Sequence, residues 1–168
     1  FRSLNKALSL DGFGVSEPQD KLISETISDD DVQNGFIYVL ESLSTDRNVR
    51  ELKHLHKIGY TSGDVASRIK NAINEPTNLM AEVKVVATYR CFNLKTSNLE
   101  ANIKNFFRKV RLKIELESSS GKVFRPVEWF IVPIEVVNEA IGLLINDEIK
   151  NYRYDSEINS IILKELKD

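Results

Sequence analysis

Cysteine is nearly absent from this 168-residue chain; Cys91 stands alone. One thiol makes neither an internal disulfide nor a cysteine-based zinc site, so a reducing, cytoplasmic setting is expected. Histidine is as scarce. His54 and His56 are the two in the chain, and no further ligand stands at a spacing that would complete a zinc site. No apolar run approaches the roughly 20 residues of a membrane-spanning helix, and no signal peptide is visible, so no membrane partner is expected. A net charge of one strong sign is missing too. With 23 Lys and Arg against 25 Asp and Glu the formal charge is −2. Overall charge therefore does not advertise nucleic acid, and local fields must decide.

What is present suffices for one domain with a core. The apolar content of 42% is ordinary for a globular protein. The chain begins with Phe1 rather than Met, which reads as a segment of a longer protein whose upstream domain is an expected partner. Residues 1–33 read as linker or the end of that upstream region. Gly12, Gly14 and Pro18 punctuate them, Phe1–Leu10 fits the end of a helix, and one short helix is expected around Lys21–Ile27. Residues 34–150 form the predicted domain, and 151–168 a tail with a helix through Ile158–Leu166.

The organising stretch is Gly35–Arg68. Gly35–Leu43 and Leu55–Thr61 have strand character, and Asp64 is the natural N-cap of a helix that stops before Pro76. The segment Ser44–Lys53 is too charged for a core and reads as a surface excursion. In Ala81–Phe92, Val83, Val85, Ala87, Tyr89 and Cys91 alternate with mostly polar residues, the pattern of a half-buried antiparallel strand. Leu99, Ile103, Phe106, Phe107 and Val110 predict a second helix, and Ile134, Val137, Ile141, Leu144, Ile145 and Ile149 a third, running to about Lys150. Leu112–Gly121 is either helix continuation or a short ribbon. Val123–Ile131 reads as extended. The predicted fold is α+β, with a small, mainly antiparallel sheet of three to four strands flanked by helices.

Two strands thus bring Tyr38 and Lys57 toward the first turn of a helix carrying Arg68, a combination suited to phosphate chemistry. Tyr38 is either a general base or water-orienting phenol, or a packed strand tyrosine. Lys57 lowers the tyrosine's pKa or holds a phosphate, or is an ordinary strand lysine. Arg68 offers a fork of donors to a charged transition state, or pairs with Asp64 one turn earlier. Glu100 is a candidate carboxylate ligand, or the far half of a capping box begun by Ser97. Glu128 either lines the same cleft or is a polar neighbour of Trp129 and Phe130. His56 either assists proton transfer or sits at the core edge. Lys104, Arg108, Arg111, Lys122 and Arg125 form a basic set that either tracks a phosphate backbone or is a solvated face.

Phe36-Ile37-Tyr38 with Lys57-Ile58-Gly59 resembles the two half-motifs of GIY-YIG endonucleases. The spacing from Lys57 to Arg68 is similar to that family's helix arginine, and Leu99–Phe107 resembles its metal-binding helix. Glu128-Trp129-Phe130 resembles the ending found in phage and bacterial members. The second half-motif carries lysine where many members have tyrosine, as some restriction-type members do. The resemblance implies a metal-dependent endonuclease acting on DNA, with a place in defence against foreign DNA. In it Tyr38, Lys57, Arg68 and Glu100 are catalytic, Glu100 holds Mg²⁺ or Mn²⁺, and His56, Glu128 and Lys104 are accessory. The rival expectation is a module that keeps the fold and binds nucleic acid or a partner without cutting.

Overall fold

The computed structural model describes residues 8–10, 33–92 and 96–166. Its centre is a five-stranded antiparallel sheet. Strands β1 (Leu8–Leu10), β2 (Gln33–Ser42), β3 (Leu55–Thr61), β4 (Val83–Phe92) and β7 (Trp129–Ile131) stand in the order β1-β4-β2-β3-β7. Two ribbons accompany it: β5 (Leu116–Glu117) with β6 (Val123–Phe124), and β8 (Tyr152–Asp155) with β9 (Ser160–Leu163). The helices are α1 (Arg47–Arg50), α2 (Val65–Ile69), α3 (Thr96–Phe106) and α4 (Ile134–Ile145). The fold is α+β, as the alternation of strand and helix patterns predicts.

The main core lies on one sheet face. Ile37, Val39, Ile58, Ala87, Tyr89, Cys91 and Phe130 meet Leu99, Ile103 and Phe107 of α3 and Val136, Val137, Ala140, Ile141 and Leu144 of α4. Each fully buried Val, Ile, Leu or Phe contributes about 1.5–3 kcal/mol of transfer free energy, so this face supplies most of the fold's cohesion. The opposite face carries a smaller cluster of Tyr38, Leu40 and Val65, with Phe36, Ile69, Val83 and Val85 at its margin. It is covered by the short α2 and by the turns that follow.

Several local expectations are corrected. Leu8–Leu10 is not a helix end but an edge strand, with Leu8 opposite Cys91 and Leu10 opposite Tyr89. The other expectations for the first 32 residues, including the helix around Lys21–Ile27, lie outside the described residues. The alternation in β4 does not line one face, because the register against β2 slips between Val39 and Leu40. Val83 and Val85 therefore join the Tyr38 side while Ala87, Tyr89 and Cys91 join the main core. One extra residue in a strand reverses every later side chain. α2 ends at Ile69 rather than Asn74, giving way to two 3₁₀ turns, Ala72–Asn74 and Pro76–Asn78.

The ribbon reading of Leu112–Gly121 is the one that forms, and Val123–Ile131 is two strands. Pro126, which has no N–H to donate, separates them. α4 stops at Ile145, where Asp147 takes a left-handed backbone (φ 56°). The predicted C-terminal helix is a hairpin. Tyr152, Tyr154, Ile161 and Ile162 favour extended backbone, and Asn159 (φ 48°) supplies the left-handed turn residue. Tyr154 then packs edge-on against Phe107, ring centroids 5.5 Å apart, which ties the hairpin to the main core.

Candidate active site

Strand alternation decides which sequence candidates meet. Tyr38 lies opposite Gly59, and Leu40 opposite Lys57, so Tyr38 and Lys57 share the face away from the main core. Gly59 is required there. A Cβ at this position would stand 2.5 Å from the Tyr38 Oη and 2.7 Å from its Cε2, so the ring lies directly on the glycine backbone.

Lys57 is wholly buried, at 0% exposure. Its Nζ donates to Asn78 Oδ1 at 2.8 Å and lies 3.5 Å from Glu128 Oε2. Burial lowers its pKa, and Arg68 lowers it further, against the pull of Glu128. Asn78 is also fully buried. Its Nδ2 donates to Glu75 Oε2 at 2.9 Å, and the same oxygen accepts from Arg68 Nη1 at 3.1 Å. Arg68 therefore pairs with Glu75, not with Asp64. Asp64 instead caps α2, accepting from Ser67 N at 3.0 Å and Ser67 Oγ at 3.1 Å.

Glu128 joins this chain to α3. Its Oε1 lies 3.8 Å from Lys104 Nζ, which is 4.0 Å from Glu100 Oε2. Tyr38, Lys57, Arg68, Glu100, Lys104 and Glu128 thus form one connected cluster, with Glu75 and Asn78 as two members that the sequence reading did not single out. Glu75 joins two short 3₁₀ turns and Asn78 ends the second, and such turns carry no period. The hint available was Glu75-Pro76 closing α2 with two polar residues on either side of a rigid turn. Trp129 braces that turn by donating from Nε1 to the Thr77 carbonyl at 2.9 Å.

The Tyr38 phenol is held protonated. Its pKa is pushed up to about 12, first by burial and then by Glu128, Glu100 and Glu75, with Arg68 acting in the opposite sense. The expectation that Lys57 would lower it is corrected. Arg68 is the cation that acts on Tyr38, and burial, helped by the carboxylates, outweighs it. For Arg68 itself, burial opposes the charge. The Glu75 hydrogen bond, Tyr38 and Glu128 together reverse that and hold its pKa raised.

His56 does not join the cluster. It points to the main-core face, with Nδ1 2.7 Å from the Val132 carbonyl and Nε2 3.5 Å from Glu41 Oε1. The expected basic set also separates. Lys104 faces the cluster. Arg125 is tied to Glu115 at 2.5 Å, Lys122 lies 5.3 Å over the Phe124 ring, and Arg111 is exposed beside a hollow it shares with Arg125. Arg108 stands in the 3₁₀ turn after α3, next to Lys109. The helix ends at Phe106, so the four-residue spacing no longer keeps these side chains on one line.

Among the described residues, no group of three or more His, Cys, Asp or Glu is arranged to hold a metal ion. Glu100 is about half exposed, and the Ser97 side chain expected to cap with it lies outside the described part. A single open carboxylate suits a hard cation such as Mg²⁺, whose other positions are filled by water and substrate phosphate. Among the described residues no helix is long and apolar enough to cross a membrane.

Over 144 residues the chain is 40% identical to the uncharacterised protein YeeC of Bacillus subtilis (strain 168), covering 86% of this chain and 37% of that protein. The chain thus spans just over a third of the length of the curated relative it matches. No solved structure matches. The family model that matches is not that of the GIY-YIG endonucleases. The assignment expected from the half-motifs is corrected accordingly, because short half-motifs describe a local strand, turn and helix and do not carry a family. The match runs over residues 35–158, from the strand of Tyr38 into the C-terminal hairpin, and the chain belongs to the T5orf172 domain family, which is associated with nuclease-like and DNA-binding function.

Proposed function

We propose that the chain is a metal-dependent endonuclease domain that hydrolyses DNA phosphodiester bonds at the Tyr38–Lys57–Arg68–Glu100 cluster. The observation that carries this reading is the convergence of three cations, Lys57, Arg68 and Lys104, on carboxylates and a phenol at one end of the sheet. Burying Lys57 costs several kcal/mol unless a charge answers it. A purely structural site would be expected to hold apolar residues in its place.

Hydrolysis adds a water oxygen to phosphorus and breaks one P–O ester bond. Tyr38, protonated across the neutral range, orients the attacking water through its phenol oxygen. Arg68 offers its fork to the non-bridging oxygens as their charge builds, and Glu75 holds the guanidinium in place. Lys57, buried and held by Asn78 and Glu128, lends its charge to the phosphate site from beneath. Glu100 would hold the Mg²⁺ or Mn²⁺, which when bound would stabilise negative charge on the leaving oxygen. Lys104 would then turn from Glu100 to Glu128 or the DNA.

The test is cleavage of supercoiled plasmid with Mg²⁺, Mn²⁺ or chelator. Metal-dependent nicking is expected from the wild type. It is expected to fall by roughly 10²–10³-fold in Arg68→Ala and to disappear in Glu100→Gln. Undiminished nicking by both variants would overturn the site assignment, and none by a wild type that binds DNA would replace this reading with a binding module.

A further inference from the structure

A second basic feature lies away from the cluster. Where α3 and its 3₁₀ turn meet the C-terminal hairpin there is a trough of about 290 Å³. Five cations line it: Arg108, Lys109, Lys150, Arg153 and Lys164. Among the described residues no carboxylate does. Lys150 and Arg153 have ion-pair partners, Asp147 at 3.8 Å and Asp155 at 3.4 Å, but both carboxylates point outside the lining. Exposed pairs of this kind stabilise little and leave the cations free to exchange partners.

The trough is built on rigid parts. Tyr154 holds the hairpin against Phe107, and its hydroxyl donates to Asn159 Oδ1 at 2.8 Å. Lys164 is tied twice, its N donating to the Asn151 carbonyl and its Nζ to the Lys150 carbonyl, each at 2.8 Å. Concentrating five like charges raises the energy of the free protein. A polyanion relieves that repulsion.

Its position relative to the cluster identifies the polyanion. Asn102 and Asn105 line the trough from α3. At about 100° per residue they lie roughly 140–200° round the helix from Glu100. The trough and Glu100 therefore lie on opposite flanks of α3, a helix about 10 Å across, close enough for one DNA strand to reach both. We propose that the trough is a second phosphate-binding surface, which holds the DNA backbone a few nucleotides from the bond to be cut. The proposal rests on the nuclease reading for the identity of the strand.

The experiment measures binding of a short DNA duplex over a salt series in chelator, with cleavage of plasmid read separately. The trough variant is Lys109→Gln/Arg153→Gln/Lys164→Gln. A control, Arg50→Gln/Lys53→Gln/Lys84→Gln, removes the same charge from exposed positions elsewhere. The trough variant is expected to bind at least tenfold more weakly at low salt. Its slope of log affinity against log salt should be shallower by about 2–3. The control should keep both, and Lys109→Arg/Arg153→Lys/Lys164→Arg should restore them, which separates charge from folding. Equal behaviour of the trough variant and the control, or a wild type that binds no DNA, would overturn the proposal. A wild type that binds through the trough yet cuts nothing keeps the proposal and removes the hydrolytic reading. A wild type that cuts while the trough variant matches the control does the reverse.

Discussion

Replacing Lys57 by methionine separates a lysine kept for chemistry from one kept for structure. The two side chains have similar length, and the stem of Lys57 is already buried, so the apolar contribution changes little. The variant loses the 2.8 Å bond to Asn78 Oδ1. Leaving that buried acceptor unpaired costs about 1–3 kcal/mol. Against this stands relief from burying an ammonium that its surroundings disfavour, as the lowered pKa of Lys57 records. Glu128 is not stranded, because it is one-quarter exposed and keeps Lys104 at 3.8 Å. The net change should lie between roughly zero and 3 kcal/mol of destabilisation, below the ~3–5 kcal/mol expected when a buried charge is left without a partner. Nicking should fall by roughly 10²-fold or more. Urea unfolding and plasmid cleavage on the same preparation measure both. A loss above about 5 kcal/mol, or cleavage at the wild-type rate, would refute the argument and make Lys57 a structural residue.

Other expectations follow from the same contacts. Tyr38 carries its proton to about pH 12 in the folded chain but loses it near 10 when unfolded. Its contribution is therefore complete below pH 10 and is lost as pH rises to 12, about 2–3 kcal/mol in all. Wild type should lose that much more stability than Tyr38→Phe over this window, and an ultraviolet titration should assign one late phenolate to Tyr38. Cleavage by the wild type should show no Tyr38 titration between pH 7 and 9, and an ionisation there that vanishes in Tyr38→Phe would contradict the water-orienting role. Gly59→Ala should destabilise by about 1–3 kcal/mol through overpacking and cut activity by displacing the Tyr38 ring; a thermal melt with an activity assay tests it. Glu75→Gln should leave Arg68 in place but less firmly held, lowering cleavage at saturating DNA more than it weakens binding, and equal losses in the two would count against a positioning role.

Local period or punctuation places Tyr38, Lys57, Arg68 and Glu100 on their strands and helices, while their choice as a catalytic set comes with the half-motif resemblance. Asp64 before Val65 marks a helix start, and the apolar run that opens Gly35–Leu43 marks a strand. His56 takes the core-edge alternative, because one step along β3 turns the ring to the other face of the sheet, against the Val132 carbonyl. In the tail the helix expected through Ile158–Leu166 is instead a hairpin, where the β-branched and aromatic residues of Tyr152–Asp155 and Ser160–Leu163 pair. The basic residues were joined along the sequence, whereas the fold sends Arg108 and Lys109 to Lys150, Arg153 and Lys164 and leaves Arg125 with Glu115.

The sequence by itself determined what repeats over short distances: the α+β class, the apolar faces of α3 and α4, the cap of α2 and the strand carrying Tyr38. These follow from the contact of neighbours three, four or two residues apart, so composition and spacing suffice. Tertiary structure alone decided the rest. The slip opposite Val39 and Leu40, the pairing of Lys57 with Asn78 and Glu128, and the capture of Arg68 by Glu75 depend on chain crossings. Such contacts are selected by the burial of a whole sheet face and by the need to answer a buried charge. Neither requirement leaves a period in the sequence.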